Sequence, residues 1–131
     1  MIYHIVTEKE FIIQNNGLRY QPVKFDDTGF VHCAQEQSVI PVANDYYASV
    51  EENLLLLRID PANLESELKY EAATPATGAG TDHLASAPAF PHIYGPVNNS
   101  SIDGIGRLVK GIKGYAWPIE FVSLIEWMNK K

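Results

Sequence analysis

The residues with the most chemistry to offer are the histidines, of which the chain has four. His4 lies in Ile2-Tyr3-His4-Ile5-Val6, His32 in Phe30-Val31-His32-Cys33 and His92 in Phe90-Pro91-His92-Ile93-Tyr94, all strand-like sequence. His83 sits apart, in a stretch rich in Ala, Thr, Gly and Pro. An imidazole can move a proton near neutral pH, ligate a metal, or bond a hydroxyl or phosphate. Buried in a sheet it costs desolvation unless its ring nitrogens are bonded, so each also has a plain reading as a core histidine held by backbone carbonyls.

Other chemistries fit less well. His32 and Cys33 are adjacent, and consecutive strand residues face opposite sides of a sheet, which keeps both from one ion. The chain has no C-x-x-C, no H-E-x-x-H and no Asp-rich loop, and although His4, His32 and His92 can converge as a three-histidine set, no metal is assigned. Cys33, the single cysteine, reads as a small hydrophobe in a buried strand rather than a thiolate nucleophile. There is no G-x-S-x-G and no P-loop. Gly104-Ile105-Gly106 lacks the third glycine and the following helix of a dinucleotide fingerprint.

The elements that position these residues follow from pattern. Residues 2–6 read as a first strand, with Ile2, His4 and Val6 on one face. Thr7-Glu8-Lys9-Glu10 matches a capping box, predicting a short helix through Phe11, Ile12 and Ile13 that stops at Asn15-Asn16-Gly17. Residues 18–25 fit either a short strand or a loop. Asp26-Asp27-Thr28-Gly29 is a turn before the strand that holds His32. Helical spacing spans Gln35 to Tyr47, where Pro41 implies a late start near Ser38 or a kink. Leu54 to Ile59 is a nearly continuous apolar run, the mark of a central strand covered on both faces. Asp60-Pro61 ends it with a capped helical turn, and Leu68 to Glu71 is a further strand. Residues 72–89 form a long loop. Ile105–Val109 and Tyr115–Trp117 pair as a hairpin, and residues 121–128 are strand or helix. The reading is a single α+β domain over residues 1–131.

Composition bounds the partners. With 131 residues, 46% of them hydrophobic and 20% charged, the chain fits one ordinary core. Sixteen acidic against ten basic side chains give a net charge of -6, with no basic run, which argues against a long nucleic acid as partner. A small anionic ligand stays open, since one or two donors can hold it. One cysteine excludes an intrachain disulfide. No stretch approaches the ~18 apolar residues that span a bilayer, so no membrane partner is expected and the localisation reading is cytoplasmic.

Three segments in this order and spacing, Tyr3-His4-Ile5, Gly29-Phe30-Val31-His32-Cys33 and Phe90-Pro91-His92-Ile93-Tyr94-Gly95-Pro96, resemble the small bacterial proteins of domain-of-unknown-function family 952. The resemblance spans nearly the whole chain. It implies the ADP-ribosyltransferase-like fold, a split strand-rich sandwich with a few short helices, shared with RNA 2′-phosphotransferases and rifampicin-modifying transferases. In that fold NAD lies in a cleft, which makes NAD a candidate substrate here and leaves the cofactor unassigned.

Carried over residue by residue, the resemblance puts His4 in the first-strand role and His32 in the second. Glu71 and Glu120 are the acidic candidates for the third, with Glu71 taken as catalytic. His92 and Tyr94 belong to the family's own signature and are expected to bind the ligand. Cleaving a nicotinamide bond builds positive charge on the ribose, so such a site needs hydroxyl and phosphate donors, an aromatic face and a nearby carboxylate. Of the three arginines, Arg19 is the one expected to meet a diphosphate, and Arg58 reads as a strand-edge or snorkelling residue. Two functions compete: an ADP-ribosyl- or 2′-phosphotransferase-like enzyme, and a ligand-binding or interaction module that keeps the fold without the reaction.

Overall fold

The computed structural model describes residues 1–72 and 89–130. Its first half runs β1 (Ile2–Thr7), α1 (Glu8–Gln14), β2 (Arg19–Tyr20), α2 (Phe25–Thr28), β3 (Val31–His32) and α3 (Glu36–Tyr46). There follow β4 (Leu54–Ile59), a 3-10 turn at Pro61–Asn63, and β5 (Glu67–Glu71). The last part is β6 (Phe90–Tyr94), β7 (Val97–Asn98), a 3-10 turn at Asn99–Ser101, β8 (Ile102–Gly111), β9 (Gly114–Ala116) and α4 (Leu124–Asn129). This is one α+β domain of antiparallel sheets with a few short helices. His83 and most of the loop expected over residues 72–89 lie outside the described residues.

The principal sheet has the order β1-β4-β8-β9. β4 is central, as its apolar run predicts, pairing with β1 on one side and β8 on the other. Its alternate side chains feed different cores. Leu55, Leu57 and Ile59 pack with Ile2, Val6, Val31, Ile93 and Ile105, while Leu54 and Leu56 pack with Tyr3, Ile5, Val39, Ala43 and Leu108. Burying one such leucine removes apolar surface worth about 1.5–3 kcal/mol. A polar side chain at Leu56 or Leu57 would therefore face a filled core on whichever side it pointed.

A second sheet, β3-β6-β5, carries most of the chemistry. It abuts β1 through a two-bond bridge in which the Tyr3 amide donates to the Ala34 carbonyl at 2.9 Å and the Ala34 amide returns a bond to Tyr3 at 2.8 Å. The third sheet is the β2-β7 pair. The curl between the first two sheets brings β1 next to the chain leaving β3.

Local signals set the boundaries, with some revisions. Thr7 caps α1 by accepting the Glu10 amide at 3.1 Å, but Glu10 turns away from the Thr7 amide and accepts the Val23 amide at 3.0 Å. Only half the capping box forms, because the chain returning before α2 offers Glu10 a better-placed donor. Residues 26–29, expected as a turn, end a single helical turn at Gly29, whose φ of +83° suits a residue without a Cβ. That turn aims the following Phe30-Val31-His32 into the sheet. α3 begins at Glu36 and contains Pro41, so the late start near Ser38 is not what occurs. Asp60 caps its 3-10 turn as read, accepting the Ala62 amide at 2.9 Å. Residues 121–128 supply both alternatives: Val122 bridges Ile105, and helix α4 follows with Ser123 as its cap.

Candidate functional site

Register places His32 directly opposite His92, and His92 opposite Lys69, across β3, β6 and β5. Directly opposed residues project to the same face, and alternation adds Phe30, Phe90, Tyr94 and Glu71 to it. The other face of the sheet, with Val31 and Ile93, closes the main core. A strand pattern that hides Val31 and Ile93 thus presents the aromatic and titratable residues together.

His92 is almost fully buried and stacks on Phe30, with ring centroids 4.0 Å apart and planes 24° from parallel. Its Nδ1–H donates to Glu71 Oε1 at 2.8 Å, and the Tyr94 hydroxyl donates to the same oxygen at 2.5 Å. These two donors hold the Glu71 carboxyl below the usual carboxylate range, the Tyr94 bond contributing most. The same bond raises the Tyr94 phenol. His32 lies beside this group, 4.5 Å from Phe30 and 5.7 Å from His92 between ring centroids. Burial lowers its pKa to about 4, aided by the fields of His92 and Lys24, so at neutral pH His32 is an uncharged imidazole.

His4 has a different setting. Its Nδ1–H donates to the His32 carbonyl at 2.6 Å, and its Nε2 receives the Tyr20 hydroxyl at 2.7 Å. The carbonyl can only accept, which fixes the tautomer. Full burial lowers His4 to about 4, partly opposed by the carbonyl bond. The plain reading of a core histidine describes its bonding, and its contribution is to pin β1 to the strand carrying His32.

These residues border one cleft of about 630 Å³ between β1, α2, β3 and α3. His4, His32 and His92 all line it, with Tyr3, Tyr20, Phe30, Tyr46, Tyr47 and Phe90 as aromatic walls. Its charged lining is Glu10, Lys24 and Asp27. Tyr94 and Glu71 are not in the lining and reach the site through His92 and Phe30. Arg19, the residue expected at a diphosphate, is exposed on β2 and outside the lining, with its guanidinium 3.6 Å from Glu65. Its strand neighbour Tyr20 does line the cleft, and alternation along β2 turns Arg19 to the opposite face. Glu120 is likewise exposed and outside the lining. Arg58 sits over the Phe121 ring at 4.4 Å and bonds Asp103; it lies on central β4 rather than at a strand edge.

Lys24, Phe30 and Tyr20 were not singled out by sequence reasoning. Phe30 had a usable signal, its two-residue spacing from His32 on a strand; Lys24 and Tyr20 had none. Among the described residues no group of three or more His, Cys, Asp or Glu side chains is placed to hold a metal ion. Cys33 is buried, and that burial raises its thiol pKa and disfavours the thiolate. No helix among the described residues is long and apolar enough to cross a membrane.

Two crystal structures of protein CC0527 from Caulobacter crescentus share this fold. One is 24% identical with a TM-score of 0.67, and a double-mutant form is 22% identical with a TM-score of 0.68; each alignment covers 87% of this chain and 90% of that one. No curated protein matches the chain. Residues 5–105, which run from within β1 into the start of β8 and hold His32 and His92, match the family described as Protein of unknown function (DUF952), and the chain belongs to that family.

Proposed function

We propose that the cleft binds a small nucleotide-like ligand, with the nicotinamide-ribose end of NAD as the ligand class that fits best. The observation that carries this reading is the composition of the lining: aromatic walls, uncharged His32 and the buried edge of His92, with Glu10 and Asp27 against one cation, Lys24. A site of this kind is concave, largely apolar, and fixes orientation with a few polar groups. Aromatic faces and carboxylates favour a cationic ring such as oxidised nicotinamide. His32 and Lys24 are suited to ribose hydroxyls and one phosphate. An ADP-ribosyltransferase-like reaction would use the same arrangement, with a carboxylate near the developing ribosyl cation.

A second reading, a ligand-binding module without chemistry, is favoured by one specific feature. His4 spends both ring nitrogens on Tyr20 and the His32 carbonyl, and the lining holds no arginine to clamp a diphosphate. Titration calorimetry with NAD, NADP and ADP-ribose, followed by chromatography for released nicotinamide, separates the two. Binding with release supports the enzyme, and binding without release supports the module. His32→Ala should weaken binding by about 10- to 100-fold, the loss of one charge-assisted or well-formed bond. Absence of binding by all three at millimolar concentration would overturn the nucleotide reading.

A further inference from the structure

We infer that Glu71 is a positioning residue that locks His92 in the Nδ1–H tautomer, leaving Nε2 as the cleft's proton acceptor for a water or ligand hydroxyl. The contacts on the Nδ1 side of the ring argue for it. Glu71 Oε1 sits 2.8 Å from His92 Nδ1, and an ionised carboxylate can only accept, so Nδ1 carries the proton and Nε2 the lone pair. Tyr94 donates to the same oxygen, which fixes the carboxylate in turn, and Phe30 stacked at 4.0 Å prevents the ring from rotating. A base held by an acceptor that is itself held by a donor is the general arrangement of an oriented imidazole.

In the proton step, the O–H bond of the water or hydroxyl breaks, its electron pair stays on oxygen, and the proton forms the Nε2–H bond. The imidazolium so formed lies against the Glu71 carboxylate, which stabilises it. The charged and titratable groups around the couple are His32 on β3, Lys69 and Glu67 on β5, Tyr94 on β6, and Lys24 just before α2. His32, uncharged at neutral pH, adds no positive charge beside the forming imidazolium. His4 cannot serve as the base, since its Nε2 is already occupied by the Tyr20 hydroxyl.

The inference uses the cleft of the preceding reading but not its ligand, and its first test needs no ligand. Long-range proton–nitrogen correlation spectra of the unliganded protein at neutral pH should show His92 as a single tautomer, protonated at Nδ1 and bare at Nε2. In Glu71→Gln, whose amide can donate as well as accept, that single tautomer should be lost while the amide spectrum of the fold persists. An Nε2–H tautomer in the wild type, or an unchanged tautomer in Glu71→Gln, would each overturn the inference. If NAD proves to be turned over, Glu71→Gln should lower kcat by about 100-fold with little change in KM, and Glu71→Asp should recover part of it. An equal loss in kcat and KM, or no loss, would also overturn it. Failure of NAD to bind would refute the nucleotide reading alone and leave the tautomer result to decide this one.

Discussion

Acid should destabilise this protein through His4 in a way that one substitution removes. In the folded chain His4 titrates at about 4, because full burial opposes its charge. In the unfolded chain it returns to its ordinary 6.5. The unfolded state therefore binds a proton that the folded state refuses between those two values. Stability is fully present above pH 6.5 and is lost as pH falls towards 4. The loss from this one group reaches about 3 kcal/mol at pH 4, from the usual 1.36 kcal/mol per tenfold change in proton affinity.

Urea denaturation from pH 7.5 to 4, on wild type and His4→Ala, reads it out. At pH 7.5 the variant should be less stable by roughly 2–4 kcal/mol, since it opens a cavity and orphans the Tyr20 hydroxyl and the His32 carbonyl. By pH 4 the gap should largely close, because the alanine protein has no imidazole to protonate on unfolding. His32 and the carboxylates slope the same way in both proteins and cancel in the difference. Parallel curves, with a gap that does not narrow as pH falls, would refute the reasoning, as would a nuclear magnetic resonance titration placing folded His4 near 6.5.

Further outcomes follow from single contacts. Leu57→Ala, at a fully buried site on central β4, should cost about 2–5 kcal/mol by urea denaturation, and a cost near zero would contradict the two-sided burial of that strand. Gly106→Ala places a Cβ 2.7 Å from Pro118 Cβ, so a melting temperature at or above wild type would show that the contact is not tight; overpacking of this kind costs about 1–3 kcal/mol. Thr7→Ala removes the side-chain cap on α1 and should cost about 1 kcal/mol by thermal melting. Lys24→Gln removes a positive field from His32, so that imidazole should titrate above its wild-type value of about 4, and an unchanged or lower value would separate Lys24 from the site.

What the sequence determined by itself is mostly local or periodic. The apolar run 54–59 can only be satisfied between two cores, the strand around His4 shows its alternation directly, and Asp60-Pro61 and Thr7 carry their caps in their own side chains. The motif segments around His4, His32 and His92 were also legible, and all three histidines border one cleft. The division of labour among them was not. Whether an imidazole is saturated depends on partners distant in sequence: Tyr20 is 16 residues from His4 and Glu71 is 21 from His92. Arg19, read as a diphosphate contact, has its guanidinium 3.6 Å from Glu65, a partner its local sequence does not reveal. Glu10 likewise left its own helix cap for the Val23 amide. Sequence spacing fixes which face a residue takes within its own element; only the packing of β1 against the β3-β6-β5 sheet decides which faces meet, and therefore which partners each imidazole finds.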